Sequence, residues 1–291
     1  MRKSFLSLGI ALLAALSALP ALAAPDLSGL WDAVAVAGPV VIPFRFEIAQ
    51  NGIRARGFFF EGDRKVGSTS GSFQDGRLKL EYDFLDTVLE ATLEGNQLRG
   101  TYRSRVPGSP SLEIHARRFT PAVAPASAAQ VPQVAGSWDM RRVAAEAKEP
   151  SDTRTWNLYL RQSGAEISGS ILRVDGDTGN LSGHWQDGKL VLSHFAGERP
   201  LLFEAKLNPD RTLSITLNRE AHYLAVRKSE ARAKGIPEPP DPSRYTSVKD
   251  PTAPFHFSFP DLGGKRVSDK DERFRGKVVL LAIGGSWCPN R

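Results

Sequence analysis

Ser72-Phe73-Gln74-Asp75-Gly76-Arg77-Leu78-Lys79-Leu80 returns further along the chain as His184-Trp185-Gln186-Asp187-Gly188-Lys189-Leu190-Val191-Leu192. Both copies keep an aromatic residue, an Asp-Gly pair and then apolar residues at every second position. Asp-Gly between two alternating runs signals a tight hairpin, because both turn residues must take positive φ to match the twist of the flanking strands. Working outward, Gly29-Leu30-Trp31-Asp32 realigns with Gly136-Ser137-Trp138-Asp139, Gln50-Asn51-Gly52 with Gln162-Ser163-Gly164, and Gly57 with Gly169. Matches in this order, at an offset of about 107 to 115 residues, identify an internal duplication.

The duplicated unit reads as antiparallel β structure. Phe44, Phe46 and Ile48 alternate, as do Leu78, Leu80, Tyr82 and Phe84; the second copy repeats the pattern at Leu158 and Leu160, at Leu190 and Leu192, and at Leu213, Ile215 and Leu217. Alternation puts one apolar face inward. Roughly six to eight short strands per copy, with no helical period, predict a meander closed or nearly closed into a small barrel, since closure removes exposed strand edges. The expected organisation is therefore mainly β: one domain over residues 25–120, a Pro/Ala-rich linker over 121–133, a second domain over 134–228, and a Pro-rich linker over 229–254. Pro237, Pro239, Pro240, Pro242, Pro251 and Pro254 make this last stretch a spacer. Ser229 to Lys234 adds at most a helical turn, too short to stand unaided.

Gly29-x-Trp31 and Gly136-x-Trp138 near each first strand resemble the lipocalin-like barrels, in which this Trp plugs the bottom. The same residue can instead floor a ligand cavity. Copies this short favour the plug, because an eight-stranded barrel is only just wide enough for its own side chains to fill.

Arg2 and Lys3, an apolar run from Phe5 to Leu19 and the small-residue triplet Ala21-Leu22-Ala23 read as an export signal, residues 1–23, cleaved after Ala23. The run covers about 15 residues where roughly 20 are needed to span a bilayer, so an anchor is the weaker reading. The expected destination is the periplasm, with no integral membrane segment in the mature chain. Lys and Arg outnumber Asp and Glu by 38 to 32, and losing Arg2 and Lys3 takes the net charge from +6 to +4. Basic pairs such as Arg117-Arg118 and Arg227-Lys228 are scattered, whereas nucleic acid demands a concentrated basic stripe, so no nucleic-acid partner is expected.

From Phe255 the pattern changes. Phe255-x-Phe257-x-Phe259 alternates, Asp261-Leu262-Gly263-Gly264-Lys265 makes a turn, Arg275-Gly276-Lys277 leads into Val278-Val279-Leu280-Leu281-Ala282-Ile283, and Gly284-Gly285-Ser286-Trp287-Cys288-Pro289-Asn290 follows. The unbroken apolar run reads as a central strand buried on both faces. This order resembles the opening of the thioredoxin-like TlpA and redoxin (AhpC-TSA) families, over residues 255–291. The resemblance implies an incomplete thioredoxin-like α/β segment and a thiol-disulfide oxidoreductase that needs no cofactor. It makes Cys288 the attacking thiol, Trp287 its shield and Pro289 the start of the helix whose N-terminus stabilises a thiolate. It also implies protein disulfide or thiol substrates and a membrane-linked redox partner.

The chain departs from that pattern where the second cysteine of the pair belongs: Arg291 stands there, and Cys288 is the sole cysteine. The expectation is a form truncated before its dithiol centre is complete, with Cys288 behaving as an ordinary thiol. A peroxiredoxin-like antioxidant enzyme is an alternative, yet Gly285 occupies the position where that family holds its peroxide-binding threonine. The other alternative is a non-catalytic binding or scaffold protein built on the two β domains. His115, His184, His194, His222 and His256 are too widely spaced for a recognisable metal motif, and no metal site is expected.

Overall fold

The computed structural model describes residues 25–121, 131–143, 154–173, 176–244 and 247–282. The export signal and Trp287-Cys288-Pro289 lie outside them.

The chain folds mainly as β structure, in two closed antiparallel barrels of eight strands with almost no helix. In the first, β1 (Gly29–Ala37), β2 (Val40–Asn51), β3 (Arg54–Glu61), β5 (Ser70–Gln74), β6 (Arg77–Tyr82), β7 (Thr87–Glu94), β8 (Gln97–Ser104) and β9 (Ser111–Arg118) form the wall, while β4 (Arg64–Gly67) hangs beside β3. The wall closes because β2 pairs with β3 as well as β1, and β9 returns to β1. The second barrel repeats the order strand for strand with β10 (Gly136–Arg142), β11 (Thr155–Ser163), β12 (Glu166–Arg173), β13 (Gly176–Asp177), β14 (Leu181–Gln186), β15 (Lys189–His194), β16 (Leu201–Leu207), β17 (Leu213–Leu217) and β18 (Ala221–Arg227).

The sequence pattern explains both. The two Asp-Gly pairs turn β5 into β6 and β14 into β15, with Asp75 and Asp187 at φ 51° and 50°. Phe46, Ile48, Leu78, Leu80 and Tyr82 point inward and are buried, as are Leu158, Leu160, Leu190, Leu192, Leu213, Ile215 and Leu217. Phe84 departs from the expected alternation. The strand ends at Tyr82, a 3-10 turn takes Asp83–Leu85, and the Phe84 ring is half-exposed.

One end of each barrel carries the same closure. Trp31 and Trp138 are fully buried, and their indole N–H groups donate to Leu27 O and Val134 O, both at 2.9 Å. The Gln50 and Gln162 side chains accept from the N–H of those same two residues. Over each indole lies an arginine from the last strand: Arg118 at 4.5 Å from the Trp31 ring, Arg227 at 3.9 Å from the Trp138 ring. Each guanidinium also donates to main-chain carbonyls just ahead of its Trp, Ser28 O from Arg118 and Ala135 O from Arg227. Two members of the basic pairs are thus structural staples rather than a solvated surface. Gly136 has φ 125°, and a Cβ there would stand 2.8 Å from the Arg227 guanidinium, which is why glycine precedes the plugging Trp.

The start of the 229–254 stretch, ahead of the Pro-rich residues, is docked onto the second barrel. A helical turn, α1 (Lys228–Ala231), buries Ala231 against the wall, and Arg232 pairs with Asp139, whose side chain is fully buried. The pairing supplies what six residues lack by themselves.

Beyond the linker, β19 (Ser258–Pro260) and β20 (Arg266–Ser268) form a small hairpin, followed by a 3-10 turn at Glu272–Phe274. The expected buried strand at Val278–Ile283 is not formed over its described residues: 278–282 have no regular structure, and Val278 and Leu280 are fully exposed. A central strand needs neighbours for its N–H and C=O groups, and among the described residues no strand lies beside this one.

Trp138→Ala is expected to cost about 3–5 kcal/mol of stability in urea unfolding, as loss of a packed aromatic core residue does. Arg227→Ala should cost about 1–2 kcal/mol through the lost cation–π contact and hydrogen bonds, with the fold retained. Arg232→Ala should cost about 3 kcal/mol, because it strands the buried Asp139 carboxylate, and adding Asp139→Asn should recover part of that loss.

Candidate functional site

The residues that the sequence singles out for chemistry, Cys288, Trp287 and Pro289, lie outside the described residues. What is described is the approach to them. Phe257 stacks on Phe259 at 6.4 Å and meets the edge of Phe274 at 5.9 Å, a small aromatic cluster immediately before Arg275-Gly276-Lys277. His256 Nδ1 lies 2.7 Å from Asp269 Oδ2, and this hydrogen bond holds the Asp269 carboxyl below its usual range.

The barrels provide two further places. The first is a groove of about 480 Å³ on the flank of the first barrel, lined by Gln50, Asn51, Arg54, Arg56 and the chain at Thr69–Gly71. It opens where β3 and β5 separate, since Arg54 and Ser72 are their sole register pair. Arg56 is committed, donating from Nε and Nη2 to Ser68 O.

The second is the mouth of the first barrel, at the end opposite Trp31. The loop between β15 and β16 of the second barrel enters it. The Phe195 ring is held edge-on by Phe44 at 4.8 Å, Phe59 at 5.3 Å and Tyr102 at 5.4 Å. Two residues on, Gly197 O accepts a 2.7 Å hydrogen bond from the Tyr102 hydroxyl, which in turn lies 2.6 Å from Thr87 Oγ1. Gly197 fits because it has no side chain: a Cβ there would lie 2.7 Å from Leu85 Cδ1 and 3.0 Å from the Tyr102 hydroxyl. Phe195, Ala196 and Leu202 of the second barrel belong to the hydrophobic core of the first.

A polar rim surrounds this plug. Ser193 Oγ donates to Pro43 O at 2.5 Å, Arg219 Nη1 to Pro39 O at 3.2 Å, and the Asn180 N–H to Glu61 Oε1 at 2.6 Å. His194 Nδ1, on a nearly buried ring, lies 3.6 Å from Glu61 Oε2.

Electrostatics in the mouth follow from burial. The Tyr82 hydroxyl is pushed well above its ordinary pKa by desolvation, with Tyr102 adding to the effect, and it has no hydrogen-bond partner. Desolvation raises Tyr102 too, opposed by its hydrogen bond to Thr87. Both phenols therefore stay protonated and remain donors. Tyr82 also stacks on Phe59 at 4.9 Å, so the cage and the orphaned hydroxyl form one cluster.

The alternating pattern placed Phe44 and Tyr82 inside the barrel, but sequence reasoning missed that Phe195 completes their cluster. One signal was available: the loop at 195–200 is longer than its counterpart at 83–86, and the additional length holds the plug.

The remaining histidines are dispersed. Among the described residues, no group of three or more His, Cys, Asp or Glu side chains converges to hold a metal ion. No described helix is long and apolar enough to cross a membrane. Compared with known proteins, the chain matches no family description and no curated relative.

Phe195→Ala is expected to cost about 3 kcal/mol, the usual loss for a large buried side chain. Because Phe195 joins the two cores, the variant should also unfold in two separated steps by tryptophan fluorescence, where the natural chain unfolds in one.

Proposed function

We propose that this chain serves an exported thiol-disulfide oxidoreductase of the TlpA and redoxin type, with the two barrels forming a rigid body ahead of the thiol-bearing segment. The observation that carries this reading is the ordered run from Phe255 to Pro289: alternating Phe residues, a Gly turn, Arg-Gly-Lys, an apolar stretch and Trp-Cys-Pro. The hairpin of β19 and β20, and the aromatic cluster packed just before Arg275, are in keeping with the opening of such a domain.

In this reading the Cys288 thiolate attacks one sulfur of a substrate disulfide. The S–S bond breaks, a mixed disulfide forms at Cys288, and the departing sulfur leaves as a thiolate that takes up a proton. Resolution needs a second thiol, and Arg291 stands where the pattern has its resolving cysteine. Trp287 shields the sulfur and Pro289 sets the first helical turn after it. The substrates are protein disulfides or thiols, the compartment is the periplasm, and a membrane-linked partner exchanges the electrons.

A second reading, a non-catalytic binding or scaffold protein, is favoured by the mouth of the first barrel, where a peptide loop is already seated.

The purified chain incubated with oxidised glutathione should take up one glutathione at Cys288, read by intact mass, and Cys288→Ser should take up none. The same chain should fail to reduce insulin catalytically. A cysteine that stays unmodified in the native protein yet reacts after denaturation would remove the attacking-thiol reading.

A further inference from the structure

Among the described residues, the mouth of the first barrel already holds a polypeptide segment, and the contacts display the chemistry it accepts. We propose that this mouth is a recognition site for peptide segments carrying an aromatic residue, a small residue and then glycine, and that Phe195–Gly197 occupies it in cis. The inference goes beyond the thiol reading and does not depend on Cys288.

Three features of the mouth define the motif. Phe44, Phe59 and Tyr102 present their rings to a single inserted aromatic side chain, the arrangement in which ring edges meet ring faces favourably. The Tyr102 hydroxyl is aimed at the carbonyl two residues later and is fixed by Thr87, so it reads main chain rather than side chain. The third position favours glycine, since its φ is 96° and a Cβ would crowd Leu85, Tyr102 and Phe59. The rim adds a fourth preference. Pro39 O, Pro43 O and the Glu61 carboxylate are all acceptors, so flanking residues that donate hydrogen bonds or carry positive charge suit it.

Residues 195–200 belong to no strand, and Arg199 is held at φ 45°, a conformation that costs a non-glycine residue energy. The Tyr82 hydroxyl, deeply buried in the same aromatic cluster, is left without a partner. Neither the cage nor the Tyr102 hydroxyl requires the incoming segment to be part of the second barrel.

The test uses the full chain and a synthetic peptide, Leu-Ser-His-Phe-Ala-Gly-Glu-Arg-Pro, added in trans and followed by calorimetry. Two variants empty the mouth by different routes: Phe195→Ala removes the inserted ring, and Gly197→Ala blocks the insertion while leaving the cage intact. Both should bind the peptide at least about tenfold more tightly than the natural chain, whose tethered loop competes at an effective concentration of order millimolar. Adding Phe59→Ala to either variant, or replacing the peptide's Phe by Ala, should abolish binding. Folded variants that bind no better than the natural chain, or bind regardless of the peptide's Phe, overturn the proposal. If neither variant folds, the natural chain decides. Millimolar peptide should displace the tethered loop and speed amide hydrogen exchange across residues 195–199, and unchanged exchange at that concentration overturns the proposal as well.

Discussion

Closure of each sheet on itself is the constraint from which the rest of the structure follows. The second strand of each barrel pairs with both the first and the third, so each sheet returns on itself, although β3 and β5 of the first barrel meet at a single register pair. An eight-stranded wall encloses just enough space for its own side chains. That single dimension explains why Trp31 and Trp138 act as plugs, why an arginine clamps each of them, and why the interiors are filled by Phe, Leu, Ile and Tyr. Duplication preserved this constraint down to individual hydrogen bonds: Gln50 and Gln162 accept from equivalent N–H groups, and each indole donates to an equivalent carbonyl.

The two copies differ where closure does not dictate the outcome, at the mouths. The first barrel has large aromatics there, Phe44, Phe59 and Tyr102, which leave room for one more ring. The second copy has Trp156 at the position of Phe44 and Ile171 at that of Phe59, and it contributes the loop that fills the space in the first. One domain has thereby become a receptor and the other its occupant, turning two tandem beads into a connected body with a shared core. That shared burial adds apolar contact area that neither domain has by itself.

The segment after the Pro-rich stretch follows different rules. Its hairpin and aromatic cluster are held by local turns, and residues 278–282 of its apolar run lie exposed, with no strand beside them among the described residues. Local hydrogen bonds suffice for a hairpin, whereas a buried central strand is a property of a whole sheet. The thiol chemistry proposed for this chain therefore rests on the order of residues in the motif, while the barrels are described by their contacts.

The amino-acid sequence by itself determined the period-two alternation, the Asp-Gly hairpins, the duplication and the plugging role of the Gly-x-Trp residues, because each depends on neighbours within a few positions or on a pattern that repeats. It also pointed to Cys288 through the flanking Trp and Pro. Tertiary structure alone decided that Arg118 and Arg227 lie over the tryptophans, that Asp139 is buried beneath Arg232, and that Phe195 belongs to the core of the other domain. The reason is the same in each case. These are contacts between residues some 90 or more positions apart in the chain, and an exposed-looking arginine or a lone loop phenylalanine carries no local mark of the partner that folding brings to it.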